Sequence, residues 1–198
     1  RREDAVWDRE IVQDSLAVIE EEADRLTELI ENLLDATRLQ AGVLAINSAD
    51  VDVAALARRI AERFKTQTSR HTIEVNFPDN FPIVLGDEER LAQVLSNLIS
   101  NAIKYSPNGG KIQINGKVLP EQVVICVSDQ GSGIAASDIP FVFERFYRSE
   151  DASRSTKGAG LGLYLARAVV EAHGGRIWVD SKPGEGARIC FSLLRDEK

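Results

Sequence analysis

Hydrophobic positions along the chain follow different periods in different stretches, and these divide it before any motif is considered. Over residues 1–41, Val12, Ile19, Leu26 and Leu33 recur every seven residues, and Leu16, Ala23, Ile30 and Thr37 form a second series offset by four. Together they make an a/d-type seam widened by Leu29 and Leu34, with Glu20, Glu21, Glu22, Glu28 and Glu31 outside it. Neither Gly nor Pro interrupts this segment, and Gly42 supplies a stop. A lone helix with such a seam is marginal in water, so it needs a partner: either its own domain or, as the length and regular heptads favour, a bundle, with a dimer expected through it.

From residue 43 onward shorter elements alternate. The pattern predicts a short strand over 43–46, then a helix over 53–67 capped by Asp52 that turns Leu56, Ile60 and Phe64 inward. Residues 72–77 alternate as a strand, and Pro78 and Pro82 bracket a turn before a brief strand over 83–85. The longest periodic run is QVLSNLISNAIKYSP, residues 93–107, in a helix opened by Gly86-Asp87. Val94, Leu95, Leu98, Ile99 and Ile103 recur there at helical spacing. After the turn Asn108-Gly109-Gly110, residues 111–118 and 122–128 read as antiparallel strands joined near Pro120. A short helical stretch over 137–148 carries Phe141, Phe143, Phe146 and Tyr147, and a polar loop follows. An apolar helix then runs to His173-Gly174-Gly175, and two closing strands, 176–181 and 187–194, flank Pro183-Gly184-Glu185-Gly186. Five to seven strands on one mixed sheet, with three main helices on one face, make a two-layer α/β sandwich. The boundary between the leading helix, 1–41, and this domain, 42–198, falls near Gly42.

Composition changes the picture in two ways. Of 31 Asp/Glu and 24 Lys/Arg, residues 1–41 hold 12 and 5 and residues 42–198 hold 19 of each, so the whole net charge of −7 sits in the leading segment. Nothing in that distribution suggests a nucleic-acid surface. No apolar run approaches the ~18 residues of a membrane span, which predicts no membrane contact by this stretch of chain. Cys126 and Cys190 lie in strand-like apolar runs and are expected as two buried, reduced thiols, which fits a cytoplasmic protein. The chain contains no Met at all, not even at its start, so it is expected to be part of a longer protein, one whose full length is open to membrane anchoring.

The candidate chemistry starts on the central helix. Asn97 and Asn101 stand four residues apart with Lys104 and Tyr105 just beyond, a polar face on an otherwise apolar helix. Two carboxamides and an ammonium are costly to bury without partners, and a metal ion with attached phosphates would satisfy them. Asp129 with Gly131 and Gly133 follows a strand end, where the glycines let a flat ligand approach and a carboxylate can accept from an amino group. Gly158, Gly160 and Gly162 precede a helix and offer N–H groups and a positive helix end to phosphate, with a spacing unlike the P-loop or dinucleotide fingerprints. Arg145, Arg148, Arg154 and Lys157 surround the polar loop between the two glycine boxes, placed to steady outer phosphates.

Asn97…Asn101-Ala-Ile-Lys104-Tyr105, Asp129-x-Gly131-x-Gly133, Phe143-Glu144-Arg145-Phe146-Tyr147-Arg148 and Gly158-x-Gly160-Leu161-Gly162-Leu163 resemble, in this order, the N, first Gly, F and second Gly boxes of sensor histidine kinases. The match spans residues 42–195, and the acidic helix resembles the second helix of that family's dimerisation domain. The resemblance implies the Bergerat ATP-binding α/β sandwich, with ATP and Mg²⁺ as cofactors. It implies that Asn101 ligates Mg²⁺, that Asn97 supports the metal or phosphates, and that Lys104 meets a phosphate oxygen. Tyr105 and Ile134 would line the nucleotide, and Asp129 would take the adenine amino group beside Gly131 and Gly133. Gly158, Gly160, Leu161, Gly162 and Leu163 would form the base of the lid, and Arg148 would stand near the γ-phosphate. Asn97, Lys104 and Arg148 are the catalytic candidates, and a response-regulator receiver domain is the implied partner.

Water-activating relatives of the gyrase type place a Glu general base where Asn97 stands, and an amide cannot take a proton from water. The site is therefore expected to bind ATP and hydrolyse it slowly, leaving the phosphoryl group for another acceptor. Two features depart from the resemblance. Ala187 stands where a Thr is usual after the third glycine turn, removing a hydroxyl worth about 1 kcal/mol as one hydrogen bond. The phosphoacceptor His is also absent: His71 precedes a strand, and His173 sits at a helix end where a cation or a cap is the ordinary role. Two other readings stand beside the kinase: a non-catalytic nucleotide-binding dimerisation module, and a serine kinase of the anti-sigma type.

Overall fold

The computed structural model describes residues 46–149 and 159–195 continuously, and before them Val12, Gln13, Ser15, Leu16, Val18, Ile19, Ile30, Leu34 and Thr37. Those earlier residues are helical and exposed, so the apolar positions Val12, Leu16, Ile19, Ile30 and Leu34 face solvent in the single chain. The rest of the heptad series, the boundary at Gly42 and residues 43–45 of the first expected strand lie outside the described residues. Ile46 belongs to no strand, and the first strand among the described residues is β1, Ala49–Val51.

The described elements then run α1 (Val53–Lys65), β2 (His71–Asn76), β3 (Val84–Gly86), α2 (Glu88–Tyr105), β4 (Gly110–Val118), β5 (Gln122–Ser128), α3 (Gly162–Ala172), β6 (Ile177–Ser181) and β7 (Ala187–Leu194). Five strands form a mixed sheet in the order β2-β4-β5-β7-β6, with β2 and β4 parallel and the other pairs antiparallel. The other two, β1 and β3, pair with each other as a separate antiparallel ribbon, Ala49 opposite Gly86 and Val51 opposite Val84. Residues expected to be helical over 137–148 form only a 3₁₀ turn, Ile139–Phe141, followed by further turns; Pro140 sits at its start and removes a backbone donor.

Period-2 patterning puts the large side chains of the sheet on one face. Ile114 lies opposite Val127, Val127 opposite Ile189, Ile125 opposite Phe191 and Val123 opposite Leu193, a ladder of core residues crossing three strands. Leu56 and Ile60 of α1, Leu91, Leu95, Leu98 and Ile99 of α2, and Val169 and Val170 of α3 join the same buried cluster. All three helices therefore cover one face, as a two-layer sandwich requires. Each such side chain contributes about 1.5–3 kcal/mol when fully buried. Caps set the helix starts: Asp52 Oδ1 accepts from the Ala55 N–H at 2.8 Å, and Asp87 Oδ1 from the Arg90 N–H at 3.1 Å.

On the opposite face, Cys126 of β5 lies directly across from Cys190 of β7, and the two are joined as a disulfide beside Val124, Leu119 and Trp178. This corrects the expectation of two free thiols. Each strand read alone shows a buried Cys; only the pairing register brings them together.

The bridge closes a 64-residue separation, for which chain entropy predicts about 2–4 kcal/mol of stabilisation. Urea melts with and without reductant should show the wild type losing stability on reduction, while the double variant Cys126→Ser, Cys190→Ser is already low and does not respond. Equal melts for the reduced and oxidised wild type would contradict the bridge.

Candidate functional site

Helix α2 carries its apolar residues toward the sheet, and its other side faces a cavity of about 290 Å³. Four separate stretches of sequence meet there: Asn101 and Tyr105 from α2, Asp129, Gly133 and Ile134 after β5, Tyr147 and Arg148 after the 3₁₀ turn, and Leu163 from α3. Val127, Ala187 and Ile189 supply an apolar floor from the sheet.

Asp129 is the best-defined group in the site. Its Oδ1 accepts from the Gly131 N–H at 2.8 Å and the Ala187 N–H at 3.2 Å. Both bonds fall on one oxygen, so the carboxylate is oriented from below while it lines the cavity. Burial raises the Asp129 carboxyl above its ordinary value, and the two backbone bonds offset that only in part.

The glycines here are matters of space. A Cβ on Gly131 would lie 2.1 Å from the Tyr105 carbonyl oxygen, and one on Gly133, at φ 69°, would lie 2.0 Å from that of Lys182. The loop therefore packs main chain against main chain, and the Ser132 N–H donates to the Tyr105 carbonyl at 3.1 Å. Ile134 is held by its N–H to Ser181 Oγ at 2.9 Å.

The amides of α2 divide their tasks. Asn97 does not line the cavity; its Nδ2 donates to the Gly162 carbonyl at 3.2 Å and ties α2 to the first turn of α3. Asn101 lines the cavity, and its carboxamide has no protein hydrogen bond among the described residues. Lys104 extends over the Tyr105 ring, Nζ 5.1 Å from the centroid. Gly160, at φ 69°, accepts the Phe146 N–H at 3.0 Å and so joins the F-box stretch to the start of α3. Leu161 is buried with Leu165 against Ala159 and Tyr164, and Gly162 stands in van der Waals reach of Asn97. Arg145 stacks on Phe146 at 4.6 Å, whereas Gly158, Arg154 and Lys157 lie outside the described residues.

Several contributors carry no sequence signal. The Ala187 N–H is one, because any residue but proline would supply it. Asp138 is another: burial first, then the hydrogen bond to Asp138, raises the Tyr147 phenol above its usual value. The aromatic cluster around Tyr147 is legible in sequence, but its place on the cavity wall is not.

Residues 86–197 match the family described as histidine kinase-, DNA gyrase B-, and HSP90-like ATPase, and the chain belongs to that family. Its relatives narrow the branch to the sensor histidine kinases. The chain is 36% identical to the sensor histidine kinase WalK of Bacillus subtilis, covering 98% of this chain and 33% of WalK. It is 41% identical to the sensor-like histidine kinase SenX3 of Mycobacterium bovis, covering 87% of this chain and 42% of SenX3. The chain thus spans about a third to two-fifths of the length of these relatives. Among solved structures, full-length ShkA in complex with AMPPNP is similar with a TM-score of 0.79 at 28% identity, covering 92% of this chain and 39% of ShkA. The mycobacterial sensor histidine kinase MprB is similar with a TM-score of 0.66 at 32% identity, covering 75% of this chain and 97% of that one.

A carboxyl whose folded pKa is raised contributes stability below its unfolded pKa, and this contribution is lost as pH rises through the folded value. Ionised Asp129 is thus a cost to the fold at neutral pH. Asp129→Asn is expected to melt at the same or a higher temperature than wild type at pH 7, with the difference closing below pH about 4. A variant that loses more stability at pH 7 than at pH 4 would contradict the burial argument.

Proposed function

We propose that this chain is the catalytic ATP-binding part of a sensor histidine kinase, which holds Mg²⁺-ATP for transfer of its γ-phosphoryl group to a histidine on a separate helix and onward to a response-regulator aspartate. The observation that carries this reading is the convergence of the four sequence boxes on one cavity wall, with Asp129 aimed by two backbone donors. With Oδ1 engaged, the second oxygen of Asp129 is the acceptor for an adenine amino group, and the apolar floor of Val127 and Ile189 suits the flat ring.

The residues fit a magnesium ion. Mg²⁺ takes hard oxygen ligands, commonly one or two from protein and the rest from phosphates and water, and Asn101 offers a carboxamide oxygen at the cavity. The ion would neutralise phosphate charge. The chain's own groups bind and orient. Asn97 fixes the lid base through Gly162, Gly160 and Gly162 open α3 toward the phosphates, and Lys104 and Arg148 supply positive charge to the transferring group. An amide at Asn97 takes no proton from water, so hydrolysis is slow.

Neither histidine of the chain is suited to be the acceptor. Both ring nitrogens of His71 are engaged, with Thr68 Oγ1 at 2.7 Å and the Ser106 carbonyl at 2.8 Å. Those of His173 are engaged by the Val169 carbonyl at 2.7 Å and the Asp87 N–H at 2.9 Å. The acceptor belongs to another helix, and the exposed seam positions Leu16, Ile19, Ile30 and Leu34 suit a homodimeric bundle that would present it. A cytoplasmic placement goes with a receiver-domain partner.

Calorimetric titration with a non-hydrolysable ATP analogue should show binding that magnesium strengthens. Asn101→Ala should remove that strengthening, a loss of about tenfold or more, with little change in melting temperature. Asp129→Asn should lose a similar factor because its amide nitrogen would face the adenine amino group. Supplied with a separate helix bearing an acceptor histidine, the chain should form acid-labile phosphohistidine. Acid-stable phosphate, or steady hydrolysis at the pace of a dedicated ATPase, would overturn the assignment.

A further inference from the structure

The two helices that frame the site are joined a second time, far from the cavity. His173 caps the C-terminus of α3. Its Nδ1 stands 2.7 Å from the Val169 carbonyl of its own helix, which makes Nδ1 the protonated nitrogen and leaves Nε2 as an acceptor. Nε2 receives the backbone N–H of Asp87, the N-cap of α2, at 2.9 Å. The ring also sits tightly on the backbone before that cap. A Cβ at Gly86 would lie 3.1 Å from His173 Cδ2 and 3.0 Å from Leu91 Cδ1.

Asp87 has a third connection. While Oδ1 caps α2 through the Arg90 N–H, Oδ2 accepts the backbone N–H of Asn47 at 3.0 Å. Asn47 lies in the segment between the heptad residues and β1. Burial alone would raise the Asp87 carboxyl, but the N–H groups of Arg90, Asn47 and Glu89 and the charge of Arg90 hold it below its ordinary value. A single nearly buried aspartate, 8% exposed, thus gathers the start of α2, the end of α3 and the strand-leading segment.

We propose that His173 and Asp87 form a positioning pair that fixes α2 against α3, and with them the geometry of the nucleotide site, and that the Asn47 N–H ties the incoming chain to this same point. The proposal rests on the reading of α2 and α3 as the walls of the ATP site. Asn97 and Gly162 join α2 to the start of α3, and Asp87 and His173 join the start of α2 to the end of α3. Two separated ties fix both the distance and the crossing of two rods, whereas one leaves them free to pivot. The tie is specific to an acceptor at Nε2. Gln at 173 brings its Oε1 to a comparable reach, while Leu fills the space and accepts nothing. At Asn47 only the main chain takes part, so the side chain is dispensable and the N–H is not.

The test uses the full 198-residue chain in four variants, each followed by titration with a non-hydrolysable ATP analogue, thermal melting, and amide hydrogen exchange over the first turn of α2. His173→Leu should weaken the analogue by about fivefold and speed exchange at the first turn of α2, while His173→Gln stays within about twofold of wild type. Asn47→Pro should speed exchange at the same amides, and Asn47→Ala should match wild type. Loss of melting temperature in His173→Leu with unchanged affinity would show a purely structural role and overturn the proposal. Equal damage from Gln and Leu would also overturn it, as would equal effects of Ala and Pro at position 47. A wild type that binds no nucleotide would instead sink the functional assignment, and the exchange data would still decide whether the pair holds the two helices.

Discussion

Helix α2 must be dry on one side and wet on the other. Leu91, Val94, Leu95, Leu98 and Ile99 are at most 1% exposed and anchor the core, while Asn101 and Tyr105 on the same eighteen residues line a cavity. That requirement sets the rest of the architecture. The sheet must present one continuous apolar face to the helix, which the in-register ladder from β4 through β7 provides. The helix must also be fixed along its axis, because a rotation large enough to relieve its polar face would draw leucines out of the core. Its ends are accordingly well held, by Asp87 and His173 at the start and by Ser106 and His71 at the finish.

The chemistry that such a helix supports depends on its being rigid. Phosphoryl transfer through a loose transition state asks the protein for placement and charge more than for covalent participation. The described groups suit that demand: the Asp129 carboxylate, held by two backbone donors, the Asn101 carboxamide and the Arg148 guanidinium line one cavity. Asn97 spends its donor on the Gly162 carbonyl, a bond that a carboxylate could not make. Under the proposed function the same amide would also leave water without a base, while its observed bond holds α3 to the central helix.

Much of this architecture is legible in the order of residues alone. Helical period over 93–107, the Asp87 cap, the β4–β5 hairpin and the closing strands follow from local spacing and turn chemistry, and local interactions decide them. What escapes is what depends on partners distant in sequence. The ribbon of β1 and β3 pairs two three-residue strands distant in sequence, Ala49 with Gly86 and Val51 with Val84. The disulfide needs the β5–β7 register. The 137–148 stretch has helical-looking aromatics, but Pro140 and contacts with the cavity wall override them. At the site, residues with side-chain chemistry are found by type, and seven of those predicted line the cavity: Asn101, Tyr105, Asp129, Gly133, Ile134, Arg148 and Leu163. The Ala187 N–H is invisible, since a backbone donor has no letter of its own. His173 is legible as a helix cap, but its second task, accepting the Asp87 N–H, is hidden, as are the partners of His71.

The close approach at Gly131 and Gly133 has a consequence for how this pocket can change. Where they meet Tyr105 and Lys182, the pocket's edge is main chain packed on main chain. Side chains can be exchanged one codon at a time, but a peptide backbone cannot. A compound that reads this edge and the Asp129 carboxylate would leave the protein few single substitutions by which to escape it while still admitting its natural ligand. The positions with no side chain are, in that sense, the part of the site with the least freedom to evolve.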